Sequence, residues 1–167
     1  MKNVIVVRHA KSSWENPGLR DFDRPLNQRG HRDAPRMAEY IAQKVPHIDR
    51  ILTSSAVRTR QTAEYFARAY GLSEMHVIPL DALYYSDVEQ YEAQMRMCND
   101  DWQTVMLIGH NPIITHIANE IQPGLTAKVP TCGVLWGTVD IDHWRDFDFS
   151  KVVLQEYVYP KMLPHHE

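Results

Sequence analysis

Two arginines and two histidines stand where short apolar runs of the chain end. Arg8 and His9 directly follow one run, Arg58 lies just beyond a second, and His110 lies just beyond a third. Apolar runs without alternation predict strands that are covered on both faces, as in a parallel sheet. Ligands of such sheets bind beyond the carboxyl ends of the strands, so we expect these four side chains to converge on one edge.

These residue types suit the transfer of a phosphoryl group. Its oxygens carry nearly two negative charges, and a guanidinium group binds them through two parallel hydrogen bonds. A neutral imidazole is a competent nucleophile near pH 7, and adjacent arginines keep it neutral because like charges disfavour imidazolium. We therefore expect His9 to attack phosphorus and to form a phosphohistidine intermediate that water hydrolyses. Arg8, Arg58 and His110 would hold the oxygens, Ser12 could donate a further hydrogen bond, and no metal or other cofactor is required.

The helix that follows the second run contains two arginines, of which only one can face the site. Arg58 and Arg60 are two positions apart and therefore point in nearly opposite directions. Arg60 lies four positions before Glu64 and so has a partner on the helix surface. Arg58 lies nearer the strand end, and we assign it to the site.

A basic stretch follows the first strand and contains Arg24, Arg29, Arg32 and Arg36. Its simplest interpretation is a solvated helix face. The alternative is that Arg24 lines the mouth of the site and that some of the other arginines steer an acidic partner towards it.

The chain alternates between short apolar runs and stretches with helical spacing, and no linker or repeat divides it. This alternation predicts one domain over residues 1–167, an αβα sandwich of three layers with a mostly parallel central sheet. Ser54 and Ser55 are candidate N-cap residues of the second helix. Strands are expected near residues 4–7, 51–52, 77–78, 105–108, 134–141 and 152–158, and helices near 31–44, 55–70, 87–98 and 112–120.

Composition excludes several classes of function. The 167 residues carry 18 Lys and Arg against 21 Asp and Glu, a formal net charge of −3, which makes nucleic-acid binding a poor hypothesis. The run 4–7 is too short for a signal peptide, and no run approaches the roughly 20 apolar residues that cross a membrane. Cys98 and Cys132 form no metal-binding or redox motif. We expect a cytoplasmic protein with reduced thiols that is a monomer or a weak dimer.

Three ordered motifs resemble the histidine phosphatase (phosphoglycerate-mutase-like) superfamily. They are RHA at residues 8–10, SAVRTRQTA at 55–63 and GHNP at 109–112. The short length, DRPL at 23–26 and YVYPK at 157–161 resemble its phosphohistidine phosphatase branch, the SixA type. The resemblance implies the fold of that superfamily, a phosphorylated His9 and phosphate binding by Arg8 and Arg58. It also implies that His110 is the second histidine of the pocket.

Two departures from the family pattern bear on the substrate. Relatives with broad phosphomonoesterase or mutase activity carry an acidic general acid in mid-chain, and Asp81 is the nearest candidate here. Glu15 stands where mutase-like members tend to have Asn, and a carboxylate beside a phosphate site repels it unless it is paired. A P–N bond to histidine breaks readily once the ring is protonated, so a weak acid favours a phosphohistidine in a protein as the substrate.

Two other functions stay open. One is a phosphomonoesterase of the same fold that acts on a small phosphorylated metabolite. The other is a non-catalytic module that binds phosphate or a phosphopeptide. The combination of His9 with its phosphate ligands argues against the module, because binding alone needs no nucleophile.

Overall fold

The computed structural model describes residues 1–164, which contain six strands, four α-helices and several 3₁₀ turns. The strands are β1 (Lys2–Arg8), β2 (Arg50–Ser54), β3 (Val77–Leu80), β4 (Thr104–Gly109), β5 (Val134–Val139) and β6 (Val153–Val158). The helices are α1 (Gln28–Lys44), α2 (Val57–Ala69), α3 (Val88–Arg96) and α4 (Ile113–Ile121). Within the described part of the chain, no helix has the length and apolar character needed to cross a membrane.

All six strands belong to one sheet with the order β3-β2-β4-β1-β5-β6. The first four strands of that order are parallel, whereas β5 runs antiparallel to β1 and β6 runs antiparallel to β5. The prediction of a mostly parallel central sheet is confirmed. Because β6 is reversed twice relative to β1, the carboxyl ends of these two strands lie at the same edge of the sheet.

Alternate residues of the central strands point into two separate apolar clusters. In β1, Ile5 and Val7 pack with residues of α1 and α2, whereas Val4 and Val6 pack with residues of α3 and α4. Since helices cover both faces, the strand is apolar at each position from Val4 to Val7, which is the pattern seen in the sequence. The expected αβα sandwich of three layers is confirmed.

The start of α2 differs from the prediction. Ala56 occupies the N-cap position, and because its methyl side chain cannot accept a hydrogen bond, the helix begins without a side-chain cap. Ser54 Oγ lies 2.8 Å from Nε2 of His110, and the Ser55 hydroxyl donates to the carboxylate of Asp81. Neither serine is therefore the N-cap residue, although Ser54 Oγ also accepts from the Ala56 amide at 3.3 Å.

The last residue of β4 has no room for a side chain. A Cβ atom on Gly109 would lie 2.6 and 2.8 Å from ring carbons of Tyr91, and closer still to its hydroxyl. Tyr91 is fully buried, and its hydroxyl donates to the Leu83 carbonyl at 2.8 Å and accepts from the His110 amide at 3.2 Å. The glycine therefore lets Tyr91 hold the first residue beyond the strand.

The substitution Gly109→Ala tests this close approach. We expect it to lower the free energy of unfolding by about 1–3 kcal/mol, because the added methyl group must displace a buried ring that has no free space. The measurement is urea unfolding of the variant and of Gly18→Ala as a control. Gly18 is exposed, and a Cβ there would meet only the Asn16 side chain at 3.3 Å. Equal stabilities of the two variants would contradict the packing described above.

Candidate active site

The ends of β1 and β4 bring His9 and His110 together at the carboxyl edge of the sheet. The His9 amide donates to the Gly109 carbonyl at 3.1 Å, and the two imidazole centroids are 5.3 Å apart. A cavity of about 460 Å³ opens beside the two rings. Six residues singled out in the sequence line it: Arg8, His9, Ser12, Arg24, Arg58 and His110.

The main chain holds His9 in one tautomer. Nδ1 lies 2.7 Å from the carbonyl oxygen of Ala10, which can only accept, so Nδ1 carries the proton and donates it. Nε2 is therefore the nitrogen with the free lone pair. Burial is the main cause that holds the pKa of His9 well below 6.5, and the neighbouring His110 acts in the same direction. The His9 ring is thus neutral at pH 7, as a nucleophile must be.

His110 is fixed by two hydrogen bonds from different elements. Its amide donates to the hydroxyl of Tyr91, and Nε2 lies 2.8 Å from Ser54 Oγ. Ser54 Oγ also accepts from the Ala56 amide at 3.3 Å. With the Ser54 proton donated to Nε2, the ring proton of His110 lies on Nδ1, the ring nitrogen without a partner among the described residues. Burial, followed by the charge of Arg58, lowers the pKa of His110 to about 3. The ring is a neutral donor at pH 7.

Two guanidinium groups reach the same cavity. Nη1 of Arg8 donates to the Val129 carbonyl at 3.0 Å. Nη1 and Nη2 of Arg58 donate to the carbonyl and the carboxylate of Asp21 at 2.7 and 3.0 Å. Burial and the nearby charge of Arg58 both lower the pKa of Arg8, which shows that the two cations repel each other across the cavity.

Three buried donors at this point have no hydrogen-bond partner among residues 1–164: Nε of Arg8, Nε of Arg58 and Nδ1 of His110. An unpaired buried donor costs roughly 1–3 kcal/mol, so native structures rarely keep one without a reason. An oxyanion can accept from such donors and can also offset the repulsion between two guanidinium groups. The arrangement can therefore bind an oxyanion beside Nε2 of His9.

Arg24 and Ser12 lie together in the wall of the cavity. Nη1 of Arg24 donates to Ser12 Oγ at 2.8 Å, and both residues are only 7% exposed. The exposed indole of Trp14 stacks on the guanidinium of Arg24, whose central carbon is 3.5 Å from the ring centroid. Trp14 also lines the cavity, so the rim carries an aromatic surface that no motif of the sequence predicts.

The structure adds Asp21 and Tyr84, which sequence reasoning did not find. The Asp21 carboxylate accepts from Arg24, from Arg58 and from the Tyr84 hydroxyl at 2.7 Å, and both residues line the cavity. Although partial burial acts to raise it, hydrogen bonds from Tyr84 and the two guanidinium groups lower the pKa of Asp21 to about 2. The carboxylate is thus ionised at pH 7. Its position three residues before Arg24 is the one signal that the sequence contains.

Asp81 lies outside the cavity lining. Its carboxylate accepts from the hydroxyl of Ser55, and the next residues of that segment, Tyr84, Tyr85 and Ser86, reach the cavity instead. The 3₁₀ turn at Asp81–Leu83 separates the carboxylate from those residues. Among the described residues that line the cavity, Asp21 is the only carboxylate.

Two further predictions concern Arg60 and metal binding. Arg60 is exposed and lies outside the lining, as predicted, but its Nε donates to the Ser55 carbonyl at 2.9 Å rather than to Glu64. Within residues 1–164 no group of three or more His, Cys, Asp or Glu side chains is placed to hold a metal ion.

Comparison of the sequence with known proteins indicates one family. A family model described as histidine phosphatase superfamily (branch 1) matches residues 4–121. An uncharacterised chloroplast protein of Arabidopsis thaliana is 31% identical over 141 residues, which cover 78% of this chain and 63% of that protein. The chain thus spans less than two thirds of that relative. Phosphohistidine phosphatase SixA of Escherichia coli is 26% identical over 149 residues, which cover 88% of this chain and 90% of SixA.

Solved structures agree with the sequence comparison. A structure from Agrobacterium tumefaciens that is assigned as phosphohistidine phosphatase SixA has a TM-score of 0.81 and 29% identity, and the match covers 95% of this chain and 98% of that one. A SixA structure from Nakamurella multipartitia has a TM-score of 0.75 and 27% identity, with 95% and 96% covered. The chain belongs to branch 1 of the histidine phosphatase superfamily.

Proposed function

We propose that this phosphatase removes the phosphoryl group from phosphohistidine in a protein, through a covalent phosphohistidine on His9. The observation that carries the proposal is the neutral His9, whose Nε2 is free beside three unpartnered donors of Arg8, Arg58 and His110. Phosphoryl transfer requires a nucleophile and, next to it, a site that binds the phosphoryl oxygens.

The reaction has two displacements at phosphorus. In the first, Nε2 of His9 attacks, a new P–N bond forms, and the P–N bond to the substrate imidazole breaks as that ring leaves with a proton. In the second, water attacks the phosphorylated His9, the P–Nε2 bond breaks, and inorganic phosphate is released. Arg8, Arg58 and His110 hold the equatorial oxygens in both steps, and the Ala10 carbonyl keeps the proton on Nδ1.

The lack of a suitable proton donor favours phosphohistidine as the substrate. Asp21, the carboxylate in the lining, has a pKa of about 2 and so carries no proton at pH 7. Partial burial and the hydrogen bond to Asp21 raise the pKa of Tyr84, which makes the phenol a weak acid. An alkyl phosphate needs protonation of a poor leaving group, whereas the imidazole of phosphohistidine is protonated by solvent before it leaves.

The rim of the cavity supports a protein as the carrier of that phosphohistidine. Trp14 is 71% exposed and Tyr85 is 82% exposed, and both line the cavity. Exposed aromatic side chains of this kind are suited to contact the residues around a phosphorylated side chain. The name of the Escherichia coli relative, phosphohistidine phosphatase SixA, points to the same substrate. A single domain, a cytoplasmic location and a monomeric or weakly dimeric state stay predictions of the sequence.

A phosphomonoesterase is the second candidate function. Phosphoserine phosphatase 1 of Hydrogenobacter thermophilus is 37% identical, but only over 89 residues, which cover 48% of this chain. The same phosphoryl site would serve an ester substrate, and the difference between the two candidates lies in the leaving group.

The covalent intermediate gives the first test. Incubation with phosphoramidate should leave an acid-labile, base-stable phosphate on His9, detected by mass spectrometry of peptides kept at alkaline pH. The variant His9→Asn should lose the label and, on the order of a thousandfold or more, the turnover. The control His116→Asn removes an exposed histidine and should keep both. Full activity in His9→Asn would rule out the mechanism.

The choice between the two substrates gives the second test. A phosphohistidine peptide should be turned over at least about tenfold faster than a phosphoserine peptide of the same sequence, because the cavity offers no strong acid. Asp81→Asn should change neither rate by more than about twofold, since this carboxylate lies outside the lining. Faster turnover of phosphoserine, together with its loss in Asp81→Asn, would establish the phosphomonoesterase instead.

The neutral histidines that the mechanism needs give the third test, on stability. Unfolded histidine titrates near 6.5, whereas the folded pKa of His110 is about 3 and that of His9 is also lowered. As pH falls below 6.5 the unfolded chain takes up protons that the folded site excludes, so folding stability decreases. Relative to His9→Asn/His110→Asn, wild type should lose about 1.4 kcal/mol per histidine between pH 7.5 and 5.5 in urea unfolding.

The control for this measurement is His47→Asn/His116→Asn, which removes two exposed histidines and should retain the pH dependence of wild type. If the double variant of the site shows the same pH dependence as wild type, the folded site accepts protons and the neutral nucleophile is wrong.

A further inference from the structure

A second concentration of positive charge lies outside the catalytic cavity. Six residues line a shallow cleft between the start of α1 and the turn that follows β6: Arg29, Arg32, Asp33, Arg36, Pro160 and Lys161, which we call the arginine cleft. Four of these side chains are cationic and one is a carboxylate, although the whole chain has a net charge of −3. The net charge of this surface is therefore positive, whereas that of the whole chain is negative.

Neutralisation of Asp33 does not account for these arginines. The Asp33 side chain is 4% exposed, and the nearest nitrogens of Arg29, Arg32 and Arg36 lie 3.4, 3.5 and 3.6 Å from its oxygens. Charge-assisted hydrogen bonds are typically about 2.7–2.9 Å long, so none of the three guanidinium groups is tightly paired with Asp33, and Nη2 of Arg36 donates to the Pro164 carbonyl at 3.1 Å. One positive neighbour would balance the single carboxylate, which leaves most of the donors and a surplus of charge for another anion.

The arginine cleft adjoins the catalytic cavity. The carboxyl end of β6, which leads into Pro160 and Lys161, lies at the same edge of the sheet as His9. At the start of α1, the Asn27 amide donates at 2.9 Å to the carbonyl of Lys11, a residue of the cavity lining. Both surfaces thus have a part at the carboxyl edge of the sheet, and the Asn27–Lys11 hydrogen bond connects the segments that carry them.

Spacing and composition indicate an extended acidic peptide as the occupant. Arg29, Arg32 and Arg36 follow each other at intervals of three and four residues, so they share one face of α1 over about 10 Å. Three residues of extended chain cover about the same distance. No aromatic ring lies among the described residues of the lining, so the cleft lacks the stacking platform typical of single-stranded nucleic-acid sites.

We infer that the arginine cleft docks an acidic segment of the phosphorylated protein while its phosphohistidine occupies the catalytic cavity. The inference rests on the proposed function, because it assigns the second surface to the same protein substrate. Contact with exposed charges raises the encounter rate and selects partners, and both effects weaken with salt. The cavity binds the phosphoryl group, and the arginine cleft binds the acidic residues near it in the sequence of the substrate.

The test compares synthetic phosphohistidine peptides of equal length. One set carries three consecutive acidic residues at varied distances from the phosphohistidine, and the reference carries serine in their place. At low salt the best acidic peptide should be turned over with roughly tenfold higher kcat/KM than the reference, and the advantage should shrink as salt is raised. Arg32→Gln/Lys161→Gln should remove this advantage and leave kcat/KM for the serine peptide and for p-nitrophenyl phosphate unchanged.

The matched control is Arg68→Gln/Arg145→Gln, which removes the same charge from two exposed positions. Arg68 lies in the last turn of α2, and Arg145 lies beyond the carboxyl end of the reversed strand β5, so both are away from the catalytic edge. This variant should keep the preference for the acidic peptide. Equal turnover of acidic and serine peptides by wild type would overturn the docking surface, as would an equal loss of preference in the two double variants.

A binding measurement separates this result from a failure of the proposed function. The acidic peptide without phosphate, labelled with fluorescein, should bind wild type at least about fivefold more tightly than Arg32→Gln/Lys161→Gln, as measured by fluorescence anisotropy. Failure to turn over any phosphohistidine peptide, with p-nitrophenyl phosphate still hydrolysed, would reject the proposed substrate. Equal binding to wild type and variant would reject the arginine cleft.

Discussion

The concentration of positive charge around an uncharged histidine is the constraint on which the rest of the structure depends. Burial, followed by the like charge of Arg58, lowers the pKa of Arg8, and the field of the two guanidinium groups would also repel a protonated His9. Two features make the arrangement stable: burial, which keeps the imidazole neutral, and the ionised Asp21, which neutralises part of the charge. What remains is a surplus of donors without acceptors, and this surplus is the property that selects a phosphoryl group.

A few side-chain hydroxyl groups connect the elements that carry the site residues, because each makes hydrogen bonds to two of them. The Thr62 hydroxyl accepts from the Ala10 amide at 3.1 Å and donates to the Arg58 carbonyl at 2.8 Å. It thereby joins the loop that fixes the tautomer of His9 to the helix that carries the phosphate ligand. Tyr91 does the same for His110 and for the segment before Tyr84. Because the four reacting groups come from three strand ends, these links keep their mutual distances constant.

The sequence predicts the parts of this site that short-range rules control. Apolar runs mark the buried strands, and parallel strands place Arg8, His9 and His110 at one edge, as the structure has them. Residues in loops are different, because contacts with distant parts of the chain decide their positions. Asp21 lies in a 3₁₀ turn whose location depends on Arg58, and the turn after β3 directs Asp81 towards Ser55 and not into the cavity. No local pattern contains that information.

Because the site lacks a strong acid, two different features would select the substrate: the leaving group of the phosphoryl compound and the protein that carries it. The arrangement of the catalytic cavity suits a phosphoryl group, and the rate then depends on how readily the leaving group departs, which is the basis of the proposed preference for phosphohistidine. Such a cavity cannot distinguish one phosphorylated protein from another, because the phosphoryl group is identical in all of them. Discrimination among proteins must therefore come from contacts beyond the phosphoryl group, and residues 1–164 offer two candidates near the catalytic edge: the exposed rings of Trp14 and Tyr85 at the rim and the charged groups at the start of α1. Aromatic contact tolerates many sequences, whereas a cluster of cations favours acidic partners, so the proposed docking at the arginine cleft would discriminate among proteins more sharply than the two rings.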